Sequence, residues 1–329
     1  MLISDAKQLL KGAATYIPGL YQLATPRGKH SGGTDKAAYC YEVWMKHLTL
    51  LGANGLGAMP VALAELGPGG SLGVGAAALL SGVERYYALD LIEFADVSRN
   101  LMIFDQLVEM FRSRAPRPSK GWPDYDRYLD TNLFPSHILT DDILNRSLAE
   151  DRVGRIRQAL SAPGTQVGDI LISYEAPWQS AATIQPGTVD LVLSHTVLEC
   201  VDDLELIYRA CALWLKPSGW ISHQMGYSSI GYSRKWNGHW AYSEPMWALA
   251  VGKRPYATNR QPHSAHVRLM QKYGFDIVSE LKAYRENGIR RSQLASRWTE
   301  LSDDDFACFA SFIQAVNRRA PGVGSAVDG

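Results

Sequence analysis

The sequence predicts an α/β protein, an open and mainly parallel sheet with helices on both faces. Two observations lead there. Apolar-rich runs of strand length recur at 61–66, 169–174, 189–194 and 220–225, each bounded by turn-forming residues. Helical patterns at 72–80, 101–114, 141–160 and 203–215 lie between them, and such alternation favours parallel strands joined by helical crossovers. Residues 61–91 then supply the sharpest signal. They read as strand, glycine turn, helix, second strand (86–89) and the acid Asp90, which is half of a nucleotide-binding βαβ unit.

In chain order, 1–25 carries a modest amphipathic pattern with Leu2, Ala6, Leu9, Leu10 and Ala13 on one face. It is expected to pack on the domain rather than on a membrane surface. The polar, glycine-rich 26–35 is a loop, and 37–51 is a helix bearing Tyr39, Tyr41, Trp44 and His47. The first strand ends in Glu65-Leu66-Gly67-Pro68-Gly69-Gly70-Ser71, and the helix at 72–80 closes on Ser81-Gly82. Residues 92–166 form a long excursion with a loop at 116–125, expected to be a helical insertion that helps build a substrate pocket. A second excursion, 226–263, is dense in side chains able to recognise polar ligands. A strand at 274–278 follows a helix at 266–273. Residues 310–316 suit a last strand, and a helix almost equally. The tail, 319–329, is expected to be disordered.

The glycine turn discriminates between ligands. A dinucleotide fingerprint wants glycine at the first, third and sixth positions, which here hold Gly67, Gly69 and Leu72. Glu65, two residues before the first glycine, would repel a pyrophosphate but suits a cationic ligand. With Asp90, this resembles the E-x-G-x-G motif of the class I S-adenosylmethionine-dependent methyltransferases. Later segments agree in order. His195-Thr196-Val197-Leu198-Glu199-Cys200-Val201 is similar to the family's V-L-E-H-V run, with Cys200 in the histidine's place. Leu215-Lys216-Pro217-Ser218-Gly219 is similar to its L-K-P-G-G. The match covers roughly residues 55–225.

The resemblance implies a Rossmann-like seven-stranded sheet with an antiparallel seventh strand, and S-adenosyl-L-methionine as cofactor. A helical cover over 1–54 would precede a methyltransferase domain over 55–318, with excursions at about 92–166 and 226–263. The methionine part would lie against Glu65, Gly67, Pro68, Gly69 and Ser71, and the ribose on Asp90 beside Leu91. Glu175 and Ala176, in the turn before Pro177-Trp178, would border the adenine. Ser194 and His195 would complete the cofactor site, with Tyr41 above it from the cover helix.

Ligands of open α/β sheets sit beyond the carboxyl ends of the strands, so an acceptor belongs near the tips of the fourth and fifth. If it is a hydroxyl, a base is needed, and histidine is the natural one. The candidates are His195 after the fourth strand, His223 in the fifth, and His239. The last lies in Trp236-Asn237-Gly238-His239-Trp240, which suits a polyol or sugar platform, with Tyr242 and Arg254 as further substrate contacts. Each also has a structural reading, as a core histidine or an ordered loop. More narrowly, Tyr39 to Trp44, Ser222-His223-Gln224 and the Trp236–Ser243 stretch resemble methyltransferases found among bacterial surface-polysaccharide genes. There S-H-Q is usually followed by Ile-Asp, whereas here Met225-Gly226 stand.

Lys and Arg balance Asp and Glu at 33 each, so no global field draws the chain to nucleic acid or an anionic membrane. The four cysteines are scattered without metal-ligand or disulfide spacing, as in a reducing cytoplasm. No metal is expected; Asp202 and Asp203 read as a helix cap. The N-terminus lacks the pattern of a secretory signal, and no apolar run is long enough to span a membrane. The expectation is a cytoplasmic methyltransferase of a small-molecule hydroxyl, in a saccharide setting, with a homodimer left open. Transfer to nitrogen or carbon, a non-catalytic S-adenosylmethionine binder and, weakest, a dehydrogenase remain as alternatives.

Overall fold

The computed structural model describes residues 3–17, 32–117, 133–254 and 256–318. Its centre is a seven-stranded sheet in the order β3-β2-β1-β4-β5-β7-β6. The strands are β1 (Ala62–Leu66), β2 (Arg85–Leu89), β3 (Leu171–Glu175), β4 (Val189–His195), β5 (Leu215–Gly226), β6 (Phe275–Tyr284) and β7 (Cys308–Asn317). All pairs from β3 to β5 are parallel, whereas β7 lies antiparallel between β5 and β6. The residues left ambiguous at 310–316 are therefore strand. Their apolar run gains two ladders at once, which no isolated helix pattern could offer.

The strand order reverses between β1 and β4, so a crevice opens above those two tips. β1 is buried throughout, as expected of a central parallel strand covered on both faces. One face carries α2 (Ala37–Ala53), α3 (Gly73–Leu79), α4 (Val97–Arg112) and α6 (Glu150–Ser161), packed into one apolar core. The other carries α7 (Leu204–Trp214) and α9 (His263–Lys272). Asp203 caps α7 by accepting from the Leu206 N–H at 2.9 Å, as its position before an apolar run suggests. The acid Asp190 in the otherwise apolar β4 has a structural task. Its carboxylate accepts from the N–H groups of Val61 and Ala62 and from Lys216 Nζ.

Two expectations change. The single charged helix at 141–160 is broken into α5 (Asp141–Ser147) and α6, with Ala149 extended between them. More important, the described residues of 92–166 are mostly scaffold, with Phe94 on the wall of the cavity described below. α4 and α6 pack against the sheet and α3, supplying the crossover that two parallel strands require. The loop expected at 116–125 falls mostly outside the described residues, as does the tail at 319–329. The N-terminal helix α1 (Ile3–Ala14) packs against α8 (Glu244–Val251) of the second excursion. The approach is so close that a Cβ on Gly12 would meet the Leu249 carbonyl oxygen at 1.8 Å. Among the described residues no helix is long and apolar enough to cross a membrane.

Candidate functional site

A cavity of about 690 Å³ opens over the tips of β1, β2 and β4. Its floor is the glycine turn after β1. Gly67 and Gly69 have φ of +69° and +72°, in the region that favours glycine. A Cβ at Gly67 would also fall 2.5 Å from Val197 Cγ2, so the turn and the β4 tip need glycine to approach this closely.

Four N–H groups around this turn are already spoken for. Gly69 N–H donates to Asp90 Oδ2 (3.1 Å), Gly70 N–H to Thr34 Oγ1 (2.9 Å), Leu72 N–H to Asn100 Oδ1 (2.9 Å) and Gly73 N–H to Ser71 Oγ (3.1 Å). A pyrophosphate cradle presents such donors to the ligand; this turn spends them on the protein. What faces the cavity instead is acid. Glu65 is buried, accepts from Tyr86 OH at 2.6 Å, and is pushed up to about 8 by burial, with the charge of Asp90 adding to the rise. Asp90 is likewise raised by burial, although the Leu91 and Gly69 N–H groups bond its two oxygens. Two carboxyls held from water, with no cation acting on either among the described residues, fit a cationic ligand with hydroxyls to offer.

At the opposite wall stands His195. Its Nδ1 lies 3.2 Å from His47 Nε2, and His47 Nδ1 lies 2.7 Å from Ser222 Oγ, so the ring is held by a chain of polar atoms from α2 to β5. Burial depresses His195 to about 3, and the Lys46 charge adds to this. Tyr39 stands edge-on to His195 and shares a hydrogen bond with Thr196. Glu199, one short turn beyond β4, also lines the cavity; burial pushes it up to about 8. Arg254 stacks 4.6 Å from the Tyr232 ring centroid, and Lys11 of α1 joins them on the rim.

Of the residues proposed from sequence, this wall unites Glu65, Gly67, Pro68, Gly69, Asp90, His195 and Arg254. The others are placed elsewhere. Tyr41 points away and donates to the Ala115 carbonyl; its neighbour but one, Tyr39, takes the cavity position. Ser71 donates to the Thr34 carbonyl and ties the cover segment to the turn. Leu91 projects toward solvent past Asp90. Glu175 accepts from Thr183 Oγ1, and Glu175 and Ala176 line no part of the cavity.

Two candidate bases are corrected outright. His223 alternates with Ser222 along β5, so it faces the opposite side of the sheet. There it lies fully buried with Nδ1 2.9 Å from Ser194 Oγ and its ring against Tyr208, leaving Ser194 equally engaged. His239 is buried beneath Trp240. The aromatic platform around it is core: Trp236 packs on Phe309, and Trp240 on Trp298 and Phe306. Asn237 bridges the Ile289 N–H and the Phe306 carbonyl, and Tyr242 donates to the Tyr232 carbonyl. These residues hold the second excursion to β7 and its flanking loops. Sequence reasoning had passed over Glu199, although its place one turn after a strand tip was a usable signal.

No family model matches the chain. It is 28% identical over 131 residues to a ubiquinone biosynthesis O-methyltransferase of Albidiferax ferrireducens, covering 38% of this chain and 46% of that protein. To the protein of the same name in Burkholderia multivorans it is 26% identical over 157 residues, covering 46% and 60%. The chain thus spans about half the length of these curated relatives. Among solved structures, an S-adenosylmethionine-dependent methyltransferase of Mesorhizobium loti superposes with a TM-score of 0.41 at 15% identity, covering 86% of this chain and 100% of the other. Phosphoethanolamine N-methyltransferase 2 of Haemonchus contortus, in complex with S-adenosyl-L-methionine, gives 0.41 at 14% identity, covering 87% and 57%.

Proposed function

We propose that this protein is an S-adenosylmethionine-dependent methyltransferase acting on a hydroxyl group of a small molecule. One observation carries the choice of cofactor. The glycine turn keeps four N–H groups for Asp90, Thr34, Asn100 and Ser71, while the carboxyls of Glu65 and Asp90 face the cavity. That arrangement disfavours a dinucleotide and favours a cationic nucleoside.

The residues present fit such a ligand. Glu65 would face its ammonium group, and Asp90 keeps lone pairs for two ribose hydroxyls. The Tyr39 ring offers a face to positive charge. Bound there, S-adenosylmethionine supplies a methyl carbon already activated by its leaving group. The protein then has to hold an acceptor in line and keep water out, and positioning alone can contribute several kcal/mol. The space for the acceptor lies between His195, Glu199 and the Tyr232–Arg254 pair, under Gln8 and Lys11 of α1. The O-methyltransferase name of the curated relatives supports oxygen as the receiving atom.

The saccharide setting loses much of its support with the burial of Trp236, Asn237, His239 and Tyr242. Of the five substrate contacts expected from the sequence, only Arg254 reaches the cavity. The acceptor is therefore proposed by chemistry, a neutral or acidic hydroxyl compound. A cytoplasmic site of action belongs to the same proposal, on the strength of four free thiols, three buried and one half-buried.

Calorimetric titration with S-adenosylmethionine, S-adenosylhomocysteine and NAD tests the reading. Binding of the first two and not of NAD is expected, and would be followed by a radiolabelled methyl-transfer screen over phenols, catechols and sugars. Binding of NAD alone, or of nothing, would end it.

A further inference from the structure

The wall of the cavity contains one carboxyl that the protein leaves half used. Glu199 is buried in the short turn Leu198–Cys200 between the tips of β4 and β5. One oxygen lies against Gly226 at the end of β5, whose N–H bonds the carboxylate. Its Oε2 is buried and has no hydrogen-bond partner among the described residues. Leaving a carboxylate oxygen dry and unpaired costs a fold free energy, so such an atom needs an explanation. The other carboxyls on the cavity offer no parallel, since Glu65 is bonded to Tyr86 and Asp90 to two N–H groups.

We propose that Glu199 is the group that receives the acceptor's proton, its free oxygen meeting the hydroxyl at the β4–β5 end of the cavity. The proposal rests on the methyl-donor reading above. Glu199 takes the hydroxyl proton as the acceptor oxygen bonds to the methyl carbon. The electron pair of the broken carbon–sulfur bond stays on sulfur, and the charge lost by the sulfonium is matched by the charge lost by the carboxylate.

His195 is the rival for this role, on the same wall. Burial acts on the two in opposite senses. It raises Glu199 to about 8 and lowers His195 to about 3, so the carboxylate holds a proton far more firmly than the imidazole near neutral pH. A base works best with an affinity near the working pH. That leaves His195, tethered through His47 to Ser222, as a neutral positioning residue. The titratable groups that sense Glu199 are Tyr39, Cys200 and Tyr227, all raised chiefly by burial and so uncharged near neutrality. The cations on the same cavity are Lys11 and Arg254.

The sign of the coupling gives a test that needs no acceptor. Near pH 7.5 the free protein holds the Glu199 proton, and a sulfonium in the cavity expels it. S-Adenosylhomocysteine shares the ammonium group but lacks the sulfonium, so effects at Glu65 cancel between the two ligands. Titrating each ligand in buffers of different ionisation enthalpy measures the protons released. The wild-type protein should release up to one proton more with S-adenosylmethionine than with S-adenosylhomocysteine. In Glu199→Gln that difference should vanish while S-adenosylhomocysteine still binds, which also shows that the variant folds; in His195→Gln the difference should persist. With any hydroxyl compound turned over in the screen, E199Q should lose about a hundred-fold or more in kcat. Equal release with both ligands, or a difference that survives E199Q, overturns the assignment. Failure of both ligands to bind the wild-type protein overturns the methyl-donor reading beneath it.

Discussion

Two parts of this molecule look alike in sequence and do opposite work. The segment from Tyr39 to His47, with His195, combines tyrosine, tryptophan and histidine; so does the segment from Trp236 to Tyr242. The first reaches the cavity, with Tyr39 and His195 on its wall and His47 behind them. The second is closed core, its indoles packed on Trp298, Phe306 and Phe309. Aromatic and polar density therefore does not mark a site. Position relative to the carboxyl ends of the parallel strands does, because only there does the sheet leave a crevice lined by loop backbone.

The contrast can be broken most forcefully at Trp240, whose Nε1 donates to the Arg260 carbonyl at 2.9 Å from a fully buried ring. Trp240→Ala should cost about 3–5 kcal/mol of stability, read in denaturant melts, with cofactor affinity of the folded fraction unchanged. Asp90→Ala should do the reverse. Affinity for S-adenosylhomocysteine should fall about ten- to hundred-fold, whereas stability should hold or rise slightly because a desolvated carboxyl is removed. A change confined to stability at Asp90, or to affinity at Trp240, would dissolve the distinction.

The cavity should also be visible in the pH dependence of stability. Glu65 and Glu199 are raised from an ordinary 4.5 to about 8, so the folded protein keeps protons that the unfolded chain has already lost. Stability should therefore fall as pH rises from about 7 toward 8, by on the order of 1 kcal/mol, and level off above. Replacing both with glutamine should flatten this slope. On the acid side the sign inverts. His195, His223 and His239 are depressed to about 3 by burial, so stability should be lost as pH drops below 6.5, where the unfolded chain takes up protons and the folded one does not. The smallest effect is expected at Tyr39, where Tyr39→Phe removes one hydrogen bond with Thr196 but keeps the ring. It should weaken S-adenosylmethionine binding about two- to ten-fold.

Local rules sufficed for much of this protein. The strand period and the apolar runs located β1 to β5 and the first half of β6 but left β7 open between strand and helix, and the cap at Asp203 followed from its place before an apolar helix. Glu65, Gly67, Gly69 and Asp90 were legible because a tight turn and a strand tip are constrained by backbone sterics within a few residues. What the chain could not reveal locally were facts of facing and of distance. Whether Ser222 or His223 looks toward the cavity depends on the register of β5 against β4 and β7, and one step along a strand reverses the face. Tyr39 rather than Tyr41 reaches the cavity because of how α2 is rotated against α3 and α4. The Trp236–Trp240 cluster became core only because β7 and the loop around Ile289 closed over it. The end of β5 at Gly226, brought against Glu199 by tertiary packing, engages one carboxyl oxygen and leaves the other unpaired among the described residues. Sequence determined which groups stand at the ends of the strands, since covalent neighbours set that geometry. Only the assembled sheet decided which of them share one water-poor space, because burial and electrostatics belong to contacts between segments far apart in the chain.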